Sequence, residues 1–208
     1  MHILWWMLGV FFYGAGTVTE SINTLSGFSI LNFKAWYILG ALLGGAPLAQ
    51  GTVYLLMKRK SANILAIILV SVIIITATFV IISPVNNELI ADQRLTGKLL
   101  TWKFIRFITP VINLYAFVFL VGGAVYSAIK YSGNRIYRNR LIGNILIAVG
   151  GLLPGIGGSF TKFGYVEVLY VTELLGIICI YTGYRVIRDD PAESIYVSQN
   201  LLTSRTNS

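Results

Sequence analysis

The stretch SANILAIILVSVIIITATFVII, residues 61–82, contains no charged residue and follows directly on Lys58-Arg59-Lys60. At about 1.5 Å of rise per residue, such a helix is about 33 Å long, the thickness of a bilayer's hydrocarbon core. A basic triplet at one end marks that end as cytoplasmic. One segment therefore supplies both a solvent and a direction.

Working outward with a window of about 19 residues gives predicted spans at 3–25, 33–57, 61–82, 104–129, 141–160 and 165–186. Uncharged runs of this length satisfy their backbone polar groups in lipid only as helices. The expected fold class is all-α, a polytopic six-helix transmembrane bundle in one domain over 1–187, with a short polar cytoplasmic tail over 188–208. Composition agrees: the 208 residues are 56% hydrophobic and 12% charged, with mean hydropathy +0.75, against about 25% charged in soluble domains.

The net charge of +8 would suggest nucleic acid in a soluble protein. Here the basic residues sit in short turns between apolar spans, where membrane topology accounts for them, so no nucleic-acid partner is expected. Cys179 is the single cysteine, lies in an apolar run and reads as a small buried hydrophobe. The opening MHILWWMLGVFF lacks a basic n-region and a small-x-small cleavage site, and reads as a retained first helix.

With the amino terminus inside, Lys58, Arg59 and Lys60, the turn carrying Lys130, Arg135, Arg138 and Arg140, and the tail from Arg185 onward all fall in the cytoplasm. Ten of the 16 Lys and Arg are then internal. Arg94, Lys98, Lys103 and Arg106 on the other side dissent, and Glu88 and Asp92 offset them little. Trp5 and Trp6 fall at the inner interface, Trp36 and Trp102 at the outer one. In the 83–103 connection, the spacing of Leu95, Leu99 and Trp102 predicts a short interfacial helix. Pro191 ends the last helix.

Three helices plus three run the halves in opposite directions, the geometry of an inverted repeat. Phe12, Gly16, Val18 and Ile22 match Phe119, Gly123, Val125 and Ile129 at a constant offset, and Gly44, Gly45 and Pro47 resemble Gly150, Gly151 and Pro154. Those glycines and prolines place a mid-span helix break in GGAPLAQG (44–51) and in GGLLPGIGG (150–158). Paired breaks suit a midplane binding site; equally, the glycines serve close packing and the prolines make tolerated kinks.

Glu173 lies about 12 Å inward from Tyr165, and Asn113 a similar depth below Arg106. With Thr17 and Glu20 they share one layer of the outer leaflet. In one reading Glu173 is a proton or cation site opening outward, lined by Asn113 and Glu20; in the other it is a protonated or hydrogen-bonded structural residue. Gln50, Thr52 and Asn144 form a second polar set toward the cytoplasm, suited to hydrogen bonds between helices.

The remaining signatures are absent. His2 and Cys179 cannot make a zinc cluster or a haem ligand pair, no Walker or nucleophile-elbow motif occurs, and Gly14-Ala15-Gly16 and Gly155-Ile156-Gly157 lack the third glycine and strand of a dinucleotide fold. No enzyme activity, catalytic residue, metal or cofactor is expected.

The segments FYGAGTVTE, WYILGALLGGAPLAQGTVYLL, VGGAVYSAIKY, LIGNILIAVGGLLPGIGGSFTKFG and YVTELLGIICIYTGY, in that order, resemble an uncharacterised family of small prokaryotic multi-spanning membrane proteins. The resemblance covers most of the chain apart from the outer connection and the tail, and departs at Pro47, where an uninterrupted helix would be expected. It implies a prokaryotic cell membrane and supplies no activity. The expected function is a carrier or channel for a small solute or ion with a polar site in the outer half of the bundle; the alternative is a non-catalytic accessory or scaffold subunit of a membrane complex. Partners would be the lipid bilayer and other membrane subunits or a homo-oligomer.

Overall fold

The computed structural model describes residues 1–86, 88, 95–131, 138–161 and 165–189. Among them the chain is an all-α helical bundle, with a single antiparallel bridge between Val85 and Leu100. Its helices are α1 (His2–Ser26), α2 (Ile30–Trp36), α3 (Ala46–Leu56), α4 (Arg59–Ile82), α5 (Ile105–Tyr131), α6 (Arg138–Thr161) and α7 (Val166–Arg188). A π-helical turn, Tyr37–Leu42, follows α2, so α2 and α3 are two halves of the predicted second span.

Among the described residues, length and apolarity pick out four segments able to cross a membrane: Ile30–Leu56, Arg59–Ile82, Ile105–Lys130 and Glu167–Arg188. The apolar part of α6, Leu141–Gly157, is shorter. α1 has 25 residues, but Thr17, Thr19, Glu20, Ser21, Asn23 and Thr24 dilute its second half. Where the sequence predicts one domain, the chain groups into two compact units, Met1–Leu120 and Val121–Ser208, with the boundary inside α5. Residues 190–208, most of the expected tail, lie outside the described residues.

In the first unit, α4 buries Ala62, Ala66, Leu69, Ile73, Thr76 and Val80. Those positions alternate steps of four and three, a narrow coiled-coil seam. Val72, Ala77 and Phe79 flank the seam half-buried, and the opposite face, including Ile67, Ile74 and Ile81, is exposed, which suits contact with lipid. Lys34 Nζ donates to the Ile81 carbonyl (2.6 Å) and so caps the last turn of α4.

α1 runs antiparallel to the chain from α3 back to the π-turn. Trp6 faces Gly51, Gly9 faces Leu48 and Gly16 faces Gly40, where a Cβ on Gly16 would stand 2.8 Å from the Gly40 Cα. Residues 40–48 are one residue longer than the 9–16 stretch they oppose. The π-turn and the break after it absorb that residue and keep the glycines in register.

The chain leaves helix at Leu43–Gly45, and Pro47 sits in the first turn of α3, where its missing N–H costs little. Irregular backbone at membrane depth has to be covered by protein or water. Here Gly44 and Pro47 are buried, and a Cβ on Gly45 would lie 3.1 Å from that of Ala116 on α5.

The 83–103 connection differs from expectation. Leu95, Leu99 and Trp102 do not share a helix; Leu99 ends a 3-10 turn, Gly97–Leu99, that Leu95 precedes and Trp102 follows. Asn86 N–H donates to the Leu99 carbonyl (2.9 Å) and Thr101 N–H to that of Pro84 (3.1 Å). With the backbone paired in this way, Leu99 and Leu100 can sink into a core with Phe33, Leu42, Val80 and Ile105, while Leu95 and Trp102 pack on its rim. Against water, each buried leucine is worth about 2 kcal/mol. Arg94 and Asp92 lie outside the described residues.

In the second unit, α6 and α7 form an antiparallel pair. Gly143 faces Gly183, Gly150 faces Gly176, and Gly157 faces Leu169 and Thr172. The contacts recur every seven residues on both helices, the period of a coiled-coil seam. A Cβ on Gly150 would lie 2.6 Å from the Gly176 carbonyl oxygen, and one on Gly183 2.6 Å from that of Gly143. Only glycine permits such an approach, which brings Cα–H groups onto facing carbonyls.

Gly150, Gly151 and Pro154 do not break the fifth span: α6 runs through them with Pro154 inside. Proline has no N–H for the carbonyl four residues back, which belongs to Gly150. That carbonyl is the one Gly176 packs against, and Pro154 Cδ lies 3.3 Å from the position of a Gly176 Cβ. The partner helix thus packs against the carbonyl that Pro154 cannot bond. Under a three-plus-three repeat the second span corresponds to the fifth, yet one is interrupted and the other continuous.

Candidate functional site

Gly27, at φ 80°, ends α1 in the left-handed region and its N–H returns to the Asn23 carbonyl (3.0 Å). The chain then doubles back, and α2 presents Asn32 and Trp36, four residues apart and so on one face, to the end of α1. Trp36 Nε1 donates to Glu20 Oε1 (2.8 Å), and Asn32 Nδ2 donates to the Thr19 carbonyl (2.8 Å). Glu20 is half-buried.

Two other members of the expected outer layer, Thr17 and Asn113 on α5, are exposed. The Thr17 hydroxyl donates to the Tyr13 carbonyl of its own helix (3.2 Å). Glu173 is half-buried on α7 and belongs to the second unit, beside Thr172, whose hydroxyl donates to the Val168 carbonyl (2.8 Å). Trp36, read from the sequence as an interface anchor, is the hydrogen-bond partner of Glu20.

The second polar set is tighter. Gln50 is fully buried; its Nε2 donates to the Ala62 carbonyl (3.0 Å) and its Oε1 accepts from Tyr115 Oη. One side chain so ties α3 to α4 and α5. A turn away, Tyr54 Oη donates to Asn63 Oδ1 (2.7 Å), and Trp5 stacks on the Tyr54 ring at 6.3 Å. Thr52 bonds back to the Leu48 carbonyl, and Asn144 lies on α6 in the second unit. A further buried pair, Tyr37 Oη and Thr109 Oγ1 at 2.8 Å, was not foreseen. Tyrosines at helix interfaces look like apolar filling in a sequence, and their hydroxyl partners become visible only in three dimensions.

Lys58, Arg59 and Lys60 are exposed at the start of α4, and Arg138 is exposed at the start of α6. Arg135 and the Arg140 side chain lie outside the described residues. Among the described residues, no group of three His, Cys, Asp and Glu side chains could hold a metal ion.

These contacts distinguish variants. Glu20→Leu leaves the Trp36 N–H without its acceptor and costs about 1 kcal/mol of stability, with a shift in indole fluorescence; Glu20→Gln keeps an acceptor and changes both little. Thermal unfolding in detergent, read by tryptophan emission, measures the difference. Equal behaviour of the two variants would refute the Trp36 assignment.

Compared with known proteins, the chain matches no protein-family model, no curated protein and no solved structure.

Proposed function

We propose that this chain is a multi-pass protein of a prokaryotic cell membrane, with both ends cytoplasmic, that acts as a non-catalytic accessory or scaffold subunit. The observation carrying this reading is the state of the first unit's polar side chains. Glu20 is committed to Trp36, Gln50 to Tyr115 and Ala62, and Tyr37 to Thr109, around a core in which Phe33, Leu42, Leu99, Leu100 and Ile105 are fully buried. A carrier needs polar groups that face a hydrated path and exchange partners during transport. Groups engaged in bonds between helices serve packing and recognition instead.

The carrier reading draws its support from one feature, the π-turn and break over residues 37–45 in the second span, since such irregularities recur at functional sites. Two measurements separate the readings. Reconstituted vesicles should show no proton- or sodium-dependent flux across a broad solute panel, with wild type, Glu20→Gln and Glu173→Gln alike. Purification in mild detergent should bring stoichiometric membrane partners with the chain. Flux abolished by either glutamine variant, from a protein that runs alone, would reverse the choice.

A further inference from the structure

The end of the α6–α7 pair carries a charged fork. Asp189, just past α7, bridges two arginines with one oxygen each: Oδ1 accepts from Arg188 Nε at 2.9 Å and Oδ2 from Arg185 Nε at 3.3 Å. The arginines are held in turn by aromatic neighbours. Arg185 Nη1 donates to Tyr181 Oη (3.4 Å), and the Arg188 guanidinium lies over the Tyr184 ring, 5.8 Å from its centroid. Beside the fork is an open cleft of about 320 Å³ lined by Asn139, Arg185, Val186 and Asp189. Each guanidinium has five N–H donors, and these bonds use two on Arg185 and one on Arg188. The fork retains donors for a larger anion.

We propose that this cleft is a phosphate-binding site for an anionic lipid headgroup, in which Asp189 competes as an internal carboxylate. The proposal rests on the membrane placement above, because the last turn of α7 closes an apolar span and brings Arg185 and Arg188 to headgroup depth. Planar guanidinium matches phosphate geometry as it matches carboxylate, and Asn139 adds an amide donor from the facing helix. The hydrogen bond from Arg188 is the main reason that the Asp189 carboxyl is held below the usual carboxylate range. It stays ionised at neutral pH and offsets part of the positive charge until a phosphate takes its place.

The full chain in neutral detergent, titrated with phosphatidylglycerol or phosphatidylcholine and read by native mass spectrometry, tests this. Wild type should retain phosphatidylglycerol preferentially. Arg185→Gln and Arg188→Gln should each weaken that retention about fivefold, the scale of one basic residue at an anionic surface. Asp189→Asn should strengthen it several-fold, an outcome that no folding defect imitates. Lys58→Gln, the same charge removed elsewhere, should leave it unchanged.

Inorganic phosphate displacing the bound lipid, or protecting the wild type alone with no preference between lipids, separates a soluble phosphate source from a headgroup while supporting the fork. Equal retention of the two lipids without any effect of phosphate, or a Lys58→Gln loss matching that of Arg185→Gln, overturns the site. Release of the chain from membranes by carbonate without detergent refutes the membrane placement and the lipid source together.

Discussion

Gly150→Val should destabilise the protein by about 3 kcal/mol, whereas Gly155→Ala, five residues further along the same helix, should be neutral or stabilise it by up to about 1 kcal/mol. At Gly150 the first new atom would lie 2.6 Å from the Gly176 carbonyl oxygen and 2.7 Å from Ile180 Cγ1. The backbone oxygen cannot rotate aside, so α6 and α7 must separate. Separation forfeits the neighbouring Gly143–Gly183 contacts as well, because all lie on one seven-residue seam. The gain in helix propensity on leaving glycine, at most about 1 kcal/mol, is too small to compensate. A Cβ at Gly155 meets nothing within 4 Å. Denaturant titration of the detergent-solubilised protein measures both; similar midpoints for the two variants would remove the glycine seam as the source of α6–α7 packing.

Gln50→Leu should cost about 2 kcal/mol despite its similar volume. The Ala62 carbonyl keeps its place in the α4 ladder, so the main loss is the Tyr115 hydroxyl, left without its acceptor. Tyr115→Phe removes that orphaned donor, and in its background Gln50→Leu should cost only about 1 kcal/mol. The double-mutant cycle isolates a coupling of about 1 kcal/mol. Strict additivity would show that the bond contributes nothing. Vesicle flux measured on the same variants adds a second readout: under the scaffold reading there is none to lose.

Much of this molecule is legible in the chain. Every predicted span has a helical counterpart, with ends within a few residues, because runs of apolar residues without charge allow one backbone solution in lipid. Residues 61–82, read as a membrane span, bury a single heptad stripe and leave the opposite face exposed. The seven-residue glycine spacing, 143, 150, 157 and 176, 183, was also present in the sequence. Pro154 read locally looks like an interruption, whereas α6 runs through it with Gly176 of another helix packed against it.

The candidate site was less legible. Glu20 could be singled out by its carboxylate in an apolar run, but depth along a helix says nothing about azimuth. Asn113 and Thr17, at matching depths, point elsewhere, and the acceptor role of Glu20 toward Trp36 depends on the reversal at Gly27. Leu99 and Leu100 look like an amphipathic surface segment until the Val85–Leu100 bridge pairs their backbone and lets them sink.

The sequence by itself determined the helices, their lengths and the solvent they suit, because hydropathy and charge act one residue at a time along the chain. Tertiary structure alone decided which proline interrupts its helix, which glycines touch and which polar groups are used up. Those outcomes depend on which atoms a second helix brings within about 3 Å, a distance no one-dimensional pattern contains.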